Sequence, residues 1–223
     1  MVFDWLMQGQ NLARLGHGLW LTAQISLVSV ALSCLLGTLF GVLMRVQNRA
    51  LQAACRLYLE TIRIVPILVW LFALHFSLSA WTGVHLSGLW VCIWVFVLWG
   101  TAEMGDLVRS AITSIPKHQY ASAQALGLTP WQVQWHVVLP QAARRLLPTS
   151  INLTNRMIMT TPLVALIGVV EVLKVGQQII DVNRFTHPDG ALWIYGTVLI
   201  MYFVVCFPIS WGARRLERKW ATT

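Results

Sequence analysis

The chain has 223 residues, 57% of them apolar and only 11% charged, with a mean hydropathy of +0.66 and a formal net charge of +8. Soluble domains carry about 25% charged residues. The deficit rules out a disordered tail, argues against a soluble enzyme, and reads as an all-α, polytopic membrane protein. In that class an excess of Lys and Arg marks cytoplasmic loops rather than nucleic-acid binding. The four cysteines, Cys34, Cys55, Cys92 and Cys206, lack metal-ligand spacing and read as small buried hydrophobes. The six histidines do not cluster with carboxylates, so neither a metal site nor a catalytic residue is expected.

A membrane helix needs about 20 mostly apolar residues, and gaps between charges locate them. No charge falls between Arg14 and Arg45, which places span one at residues 18–44. It is too long for a signal-peptide core and no basic segment precedes it, so it is expected to be retained. The uncharged stretch 64–102 is broken near 77–88 by small and polar residues that include Thr82 and His85. Two helices need ~40 apolar residues, so spans two and three, at residues 60–80 and 87–108, must extend past its ends. Glu103 and Asp106 then lie inside or at the end of span three.

Only fourteen residues separate Arg156 from Glu171, too few to cross. Span four is therefore expected at 146–170 with Arg156 inside it, and span five at 191–212, giving one transmembrane domain over residues 1–223. Arg45, Arg49, Arg56, Arg63, Arg109, Lys117, Arg144, Arg145, Arg214, Arg215, Arg218 and Lys219 fall on one face, against Arg14, Lys174 and Arg184 on the other. Twelve against three puts the C-terminus in the cytoplasm and, with five spans, the N-terminus outside. Trp5, Trp20, Trp81, Trp90, Trp193 and Trp211 fall near the expected interfaces.

The long cytoplasmic loop, residues 109–145, has helical character. Residues 119–126 read as a short helix stopped by Gly127. Residues 130–137 read as a second, with Thr129 as cap, Pro130 in its first turn, and Leu139-Pro140 closing it. The pair makes either a compact cytoplasmic knob or an interfacial hairpin with Trp131 and Trp135 at the lipid surface.

Ala121-Ser122-Ala123, three residues, Gly127, nine residues, then Val137-Val138-Leu139-Pro140 resembles the cytoplasmic signature of ABC importer permeases. That signature runs Glu-Ala-Ala, three residues, Gly, nine residues, Ile-x-Leu-Pro. Gly18-Leu19-Trp20-Leu21-Thr22, Tyr58-Leu59-Glu60-Thr61-Ile62-Arg63 with Pro66, Leu139-Pro140-Gln141-Ala142-Ala143-Arg144, and Glu171 resemble the polar amino-acid subgroup. Two departures stand out. Met159-Thr160-Thr161-Pro162-Leu163 takes the place of a Lys-Asp-Thr-Ser-Leu-like segment, and Glu103 takes the place of an aromatic residue three before an acid, here Asp106.

The resemblance implies a permease subunit in the bacterial cytoplasmic (inner) membrane. It would pair with a second, identical or paralogous, permease subunit, with an ABC ATPase dimer and with an external solute-binding protein. It implies that the ATPase docks on Ala121, Ser122, Ala123, Gly127, Leu139 and Pro140. The substrate would be a polar amino acid, with membrane lipid and no nucleic acid as the remaining surroundings.

The residues bear on this independently. None of Lys117, Lys174 and Lys219 follows a glycine, so the chain has no Walker loop. It is not expected to be an enzyme or to bind a cofactor, and the resemblance implies that ATP and Mg are held by the partner ATPase. Ionisable residues within spans normally face a polar cavity or one another. Glu103 and Arg156, with Thr160 and Thr161 beside a Pro162 break, are therefore candidates to line the substrate path. The alternatives are a structural ion pair and a static kink. A different class of function, a stand-alone secondary transporter or channel, stays open at this stage.

Overall fold

The computed structural model describes residues 10–78, 80, 83 and 86–221, with the side chain of the last excepted. Trp5, Trp81, Thr82 and His85 lie outside the described residues. All regular structure among the described residues is helical. Three helices are long and apolar enough to cross a membrane unbroken: α1 (Asn11–Leu43), α4 (Gly88–Thr113) and α9 (Gly190–Ala221). Two further crossings exist only as bent pairs, so five spans result if each pair counts as one.

The first bent pair differs from the continuous helix expected over 60–80. Asn48 caps α2 (Arg49–Ile64), accepting from the amides of Ala50 and Leu51 at 3.0 and 3.2 Å. The helix ends at Val65, which is extended (φ −78°, ψ 123°) because the residue before a proline is pushed out of the helical region. After Pro66, α3 (Ile67–Phe72) and a π-helical turn (Ala73–Ser77) run at 98° to α2.

The second bent pair departs from the sequence expectation more strongly. α5 (Lys117–Ala125) ends at Gly127 (φ +84°), where the amides of Gly127 and Leu128 reach back to the carbonyls of Gln124 and Ala123. This is a Schellman stop, and its left-handed residue favours glycine. A full capping box, Thr129 with Gln132, then starts α6 (Pro130–Val133). Leu139-Pro140, however, does not close this helix. A π-helical turn (Gln134–Val138) widens the backbone ahead of the proline. The Leu139 amide bonds to the Gln134 carbonyl five residues back, and the Gln141 side chain donates to the Val137 carbonyl at 3.0 Å. With the missing donor absorbed in this way, the chain continues as α7 (Leu139–Thr160), seven residues earlier than the expected start of span four. At Pro162 it tightens into a 3₁₀ segment (Thr161–Ile167), turns at Gly168 and resumes as α8 (Val172–Asn183), bent by 49°.

The core is the seam between α1 and α4. Gly18, Thr22, Ser26, Ser29, Ser33, Gly37 and Gly41 form one buried stripe along α1. A Cβ at Gly37 would meet the Cβ of Met104 at 2.5 Å, and one at Gly41 the carbonyl oxygen of Gly105 at 2.6 Å. Small residues at this spacing let the two backbones approach, and that approach fixes α4, which carries Glu103 and Asp106. Phe96, Val91, Val95, Ile25, Leu71 and Val164 pack into an apolar cluster beside the seam.

Candidate functional site

Glu103 lies fifteen residues into α4 and ten before its end, about 22 Å and 15 Å along the axis at 1.5 Å per residue. It is inside the span. Its Oε2 accepts from Arg156 Nη1 at 2.9 Å, and its Oε1 accepts from Arg63 Nε at 3.0 Å. Arg63 also donates through Nη2 to Asp106 Oδ2 at 2.8 Å. Asp106 Oδ1 accepts from Arg109 at 2.6 and 3.1 Å. A chain of five charges, Arg156–Glu103–Arg63–Asp106–Arg109, thus joins three helices.

Both outer arginines of the Glu103 pair sit just before a break. Arg63 is three residues ahead of Pro66 on α2, and Arg156 is six ahead of Pro162 on α7. The acids are largely covered, with side chains 14% (Glu103) and 18% (Asp106) exposed, whereas Arg63 and Arg156 are 40% and 58% exposed. The Arg156 guanidinium also stands over Trp99, 5.2 Å from the ring centroid. A cationic surface of this kind within a span is tolerated against water or polar protein, not against lipid.

The two threonines behave differently from Glu103 and Arg156. The Thr160 hydroxyl donates to the Arg156 carbonyl of its own helix at 2.7 Å. Thr161 is fully buried, and its hydroxyl lies 2.7 Å from the Ile158 carbonyl and 3.0 Å from the Tyr202 phenol. That contact answers the proline: Pro162 has no amide to offer the carbonyl four residues back, and Thr161 supplies donors to it instead. Thr161 therefore stabilises the break and is not exposed at the cluster.

The sequence places Arg63 at the start of span two and among the basic residues of the cytoplasmic face, not in the substrate path. Counting basic residues for orientation does not show what each one touches, yet Arg63 is the residue that bridges both carboxylates. The signal that would have found it is Pro66, three residues on, which ends α2. Glu171 is a second residue whose role was not read. It is wholly buried and caps α8, accepting from the amides of Leu173 and Lys174 at 2.9 and 2.8 Å.

The knob between α4 and α7 is compact. Ala123 packs with Ile115, Val133, Val138 and Ala142, while Ala121, Ser122 and Gly127 are exposed, as are Leu139 and Pro140 farther along. Leu126 and Trp131 extend an apolar surface, 81% and 69% exposed. Arg145 locks the base of the knob, donating to the Ser114 carbonyl at 2.8 Å and its hydroxyl at 2.6 Å. Arg145 on α7 thereby ties that helix to the C-terminal end of α4.

Three unbroken apolar helices, two bent helix pairs and a charge cluster that joins three helices define a polytopic membrane protein. Residues 35–222 match the family described as binding-protein-dependent transport system inner membrane component, and the chain belongs to that family. It is 30% identical over 210 residues to the probable glutamine ABC transporter permease protein GlnP of Bacillus subtilis, covering 93% of this chain and 94% of that one. It is likewise 30% identical over 220 residues to the glutamine transport system permease protein GlnP of Escherichia coli K12, covering 98% of both. The fold resembles a crystal structure of an amino acid ABC transporter with histidines, with TM-score 0.87, 21% identity, and 97% and 98% of the two chains covered. It also resembles the inward-facing MetNI methionine ABC transporter, with TM-score 0.71, 19% identity, and 93% and 96% covered.

Proposed function

We propose that this subunit forms half of the translocation path of an ATP-driven importer of polar amino acids, with its N-terminus outside and its C-terminus in the cytoplasm. The observation that carries the reading is the Arg156–Glu103–Arg63–Asp106 cluster at the level of two helix breaks. Broken helices near the midplane are where transporters build solute sites, and a zwitterion needs charged partners. A second permease subunit, identical or paralogous, closes the path against the exposed face of the cluster. An external solute-binding protein delivers the amino acid.

Energy enters from an ATPase dimer that holds ATP and Mg. Its groove receives α5 through the exposed Ala121 and Ser122 and the turn at Gly127, with Leu126 and Trp131 flanking. Because Arg145 ties the base of the knob to Ser114, displacement of α5 passes directly to α4 and α7, the helices that carry Glu103 and Arg156.

The test is reconstitution of the subunit with its ATPase and binding protein in proteoliposomes. Uptake should require internal or external ATP on the ATPase side and binding protein on the other, and should survive ionophores that collapse ion gradients. Uptake that runs on an ion gradient without ATP would replace this reading with that of a secondary transporter.

A further inference from the structure

The charge cluster has an unequal hydrogen-bond inventory. All four of its carboxylate oxygens are already engaged by guanidinium groups: Glu103 Oε1 by Arg63, Glu103 Oε2 by Arg156, Asp106 Oδ2 by Arg63 and Asp106 Oδ1 by Arg109. The donors are not all used. Arg109 spends Nε and Nη2 on Asp106, and Arg63 spends Nε and Nη2 on the two acids. Arg156 spends only Nη1, and its remaining nitrogens meet no acceptor among the described residues. It is also the most exposed member, at 58%.

Three guanidinium groups against two carboxylates leave the cluster with one surplus positive charge. An arriving ammonium would find the acid oxygens occupied and a net positive field. An arriving carboxylate would find the open edge of Arg156, a planar fork suited to two parallel hydrogen bonds, with one face steadied by Trp99. We infer that the cluster is a carboxylate-receiving subsite, that Arg156 is its recognition residue for the amino acid's α-carboxylate, and that it favours neutral or anionic side chains over cationic ones. The inference rests on the importer reading above and narrows it. The acids do not bind substrate; they hold Arg63 and orient Arg156.

The experiment is direct binding to the purified permease–ATPase complex in nanodiscs, without binding protein. The probes are L-glutamine, L-glutamate, L-lysine and the α-amide of L-glutamine. Glutamine and glutamate should bind. The α-amide and lysine should bind about tenfold to a hundredfold more weakly, the cost of removing or opposing hydrogen bonds to a charged group. Arg156→Gln should bring glutamine binding down to the level of the amide, and Arg156→Lys, which keeps the charge, should restore part of it. Co-purification with the ATPase and an unchanged thermal midpoint establish that the variants are folded. Equal binding of acid and α-amide, or tighter binding of lysine, overturns the inference while ATP-driven uptake leaves the importer reading intact. Uptake by a complex that binds none of the probes overturns the subsite as well. Loss of ATP dependence in the proteoliposome assay overturns the importer reading itself.

Discussion

The phenol of Tyr202 on α9 lies 3.2 Å from Oε2 of Glu171, a carboxylate with no exposed surface. Two amides at the start of α8 face the same carboxylate, and the phenol also meets Thr161 at the α7 break. Three elements are thereby pinned at one point, so the break at Pro162 is held in a single geometry. A hydrogen bond to a charged group contributes about 1.5–3 kcal/mol, and its loss on burial costs a similar amount. Tyr202→Phe is expected to lower stability by roughly that amount, read as a lower thermal midpoint in detergent. An unchanged midpoint would mean that the phenol does not hold the carboxylate.

Local rules of the chain were legible from sequence wherever one residue dictates its own backbone. The Gly127 stop, the Thr129 cap and the break at Pro162 follow from glycine, threonine and proline at fixed offsets. Gly37 and Gly41 stand at the small-xxx-small spacing that permits close packing, although the stripe continues through Ser33, Ser29, Ser26 and Thr22 to Gly18. Three features were not legible. The passage through Pro140 depends on a π-helical turn, which has no sequence signature of its own. Arg63 counts only as a basic residue of one face, because its acid partners lie 40 and 43 residues away in the chain. Glu171 lies outside the common capping set, and its partner Tyr202 is 31 residues away.

Gly127 offers a clean test of the knob. A side chain there meets open space, so the cost of substitution is the left-handed backbone itself, about 1–2 kcal/mol for an ordinary L-residue. Gly127→Leu should still insert, since no span is touched, while ATPase co-purification and substrate-stimulated hydrolysis fall. Gly127→Asn tolerates the conformation and should retain more of both. Full transport by the Leu variant would return the knob to a purely interfacial role.

The α1–α4 seam makes a different demand. At Gly41 the obstacle is backbone, the Gly105 carbonyl, which cannot swing aside as a side chain can. Overpacking typically costs about 1–3 kcal/mol, so Gly41→Val should lower the detergent thermal midpoint markedly. The same substitution at Gly196, which has open space around it, should have little effect. Equal midpoints for the two variants would show that the seam yields.

Orientation can be read with a reporter that is active only in the cytoplasm. Fused after Thr223 it should be active, beside Arg214, Arg215, Arg218 and Lys219; inserted at Gly83 or after Pro188 it should be silent. A silent C-terminal fusion would invert the topology and move the knob to the outer face.

The charge cluster separates fold from function more sharply than a simple ion pair would. In an isolated buried pair, removing either partner strands the other, at a cost of ~3–5 kcal/mol. Here Glu103 keeps Arg63 when Arg156 is lost, and Arg156 is more than half exposed. Arg156→Gln should therefore fold normally. Glu103→Gln removes the anion between two arginines, leaving Arg63 to Asp106 alone and Arg156 with no acid, so this variant should be the less stable of the two. The double variant Glu103→Gln with Arg156→Gln relieves that imbalance and should recover much of the expression. If the pair were only structural, transport would recover with it. If Arg156 receives the substrate carboxylate, transport stays lost despite the recovered fold, because two neutral amides cannot replace the guanidinium. The expected outcome is recovered expression with uptake still absent, measured in the same proteoliposomes, and wild-type uptake by the double variant would remove Arg156 from the path.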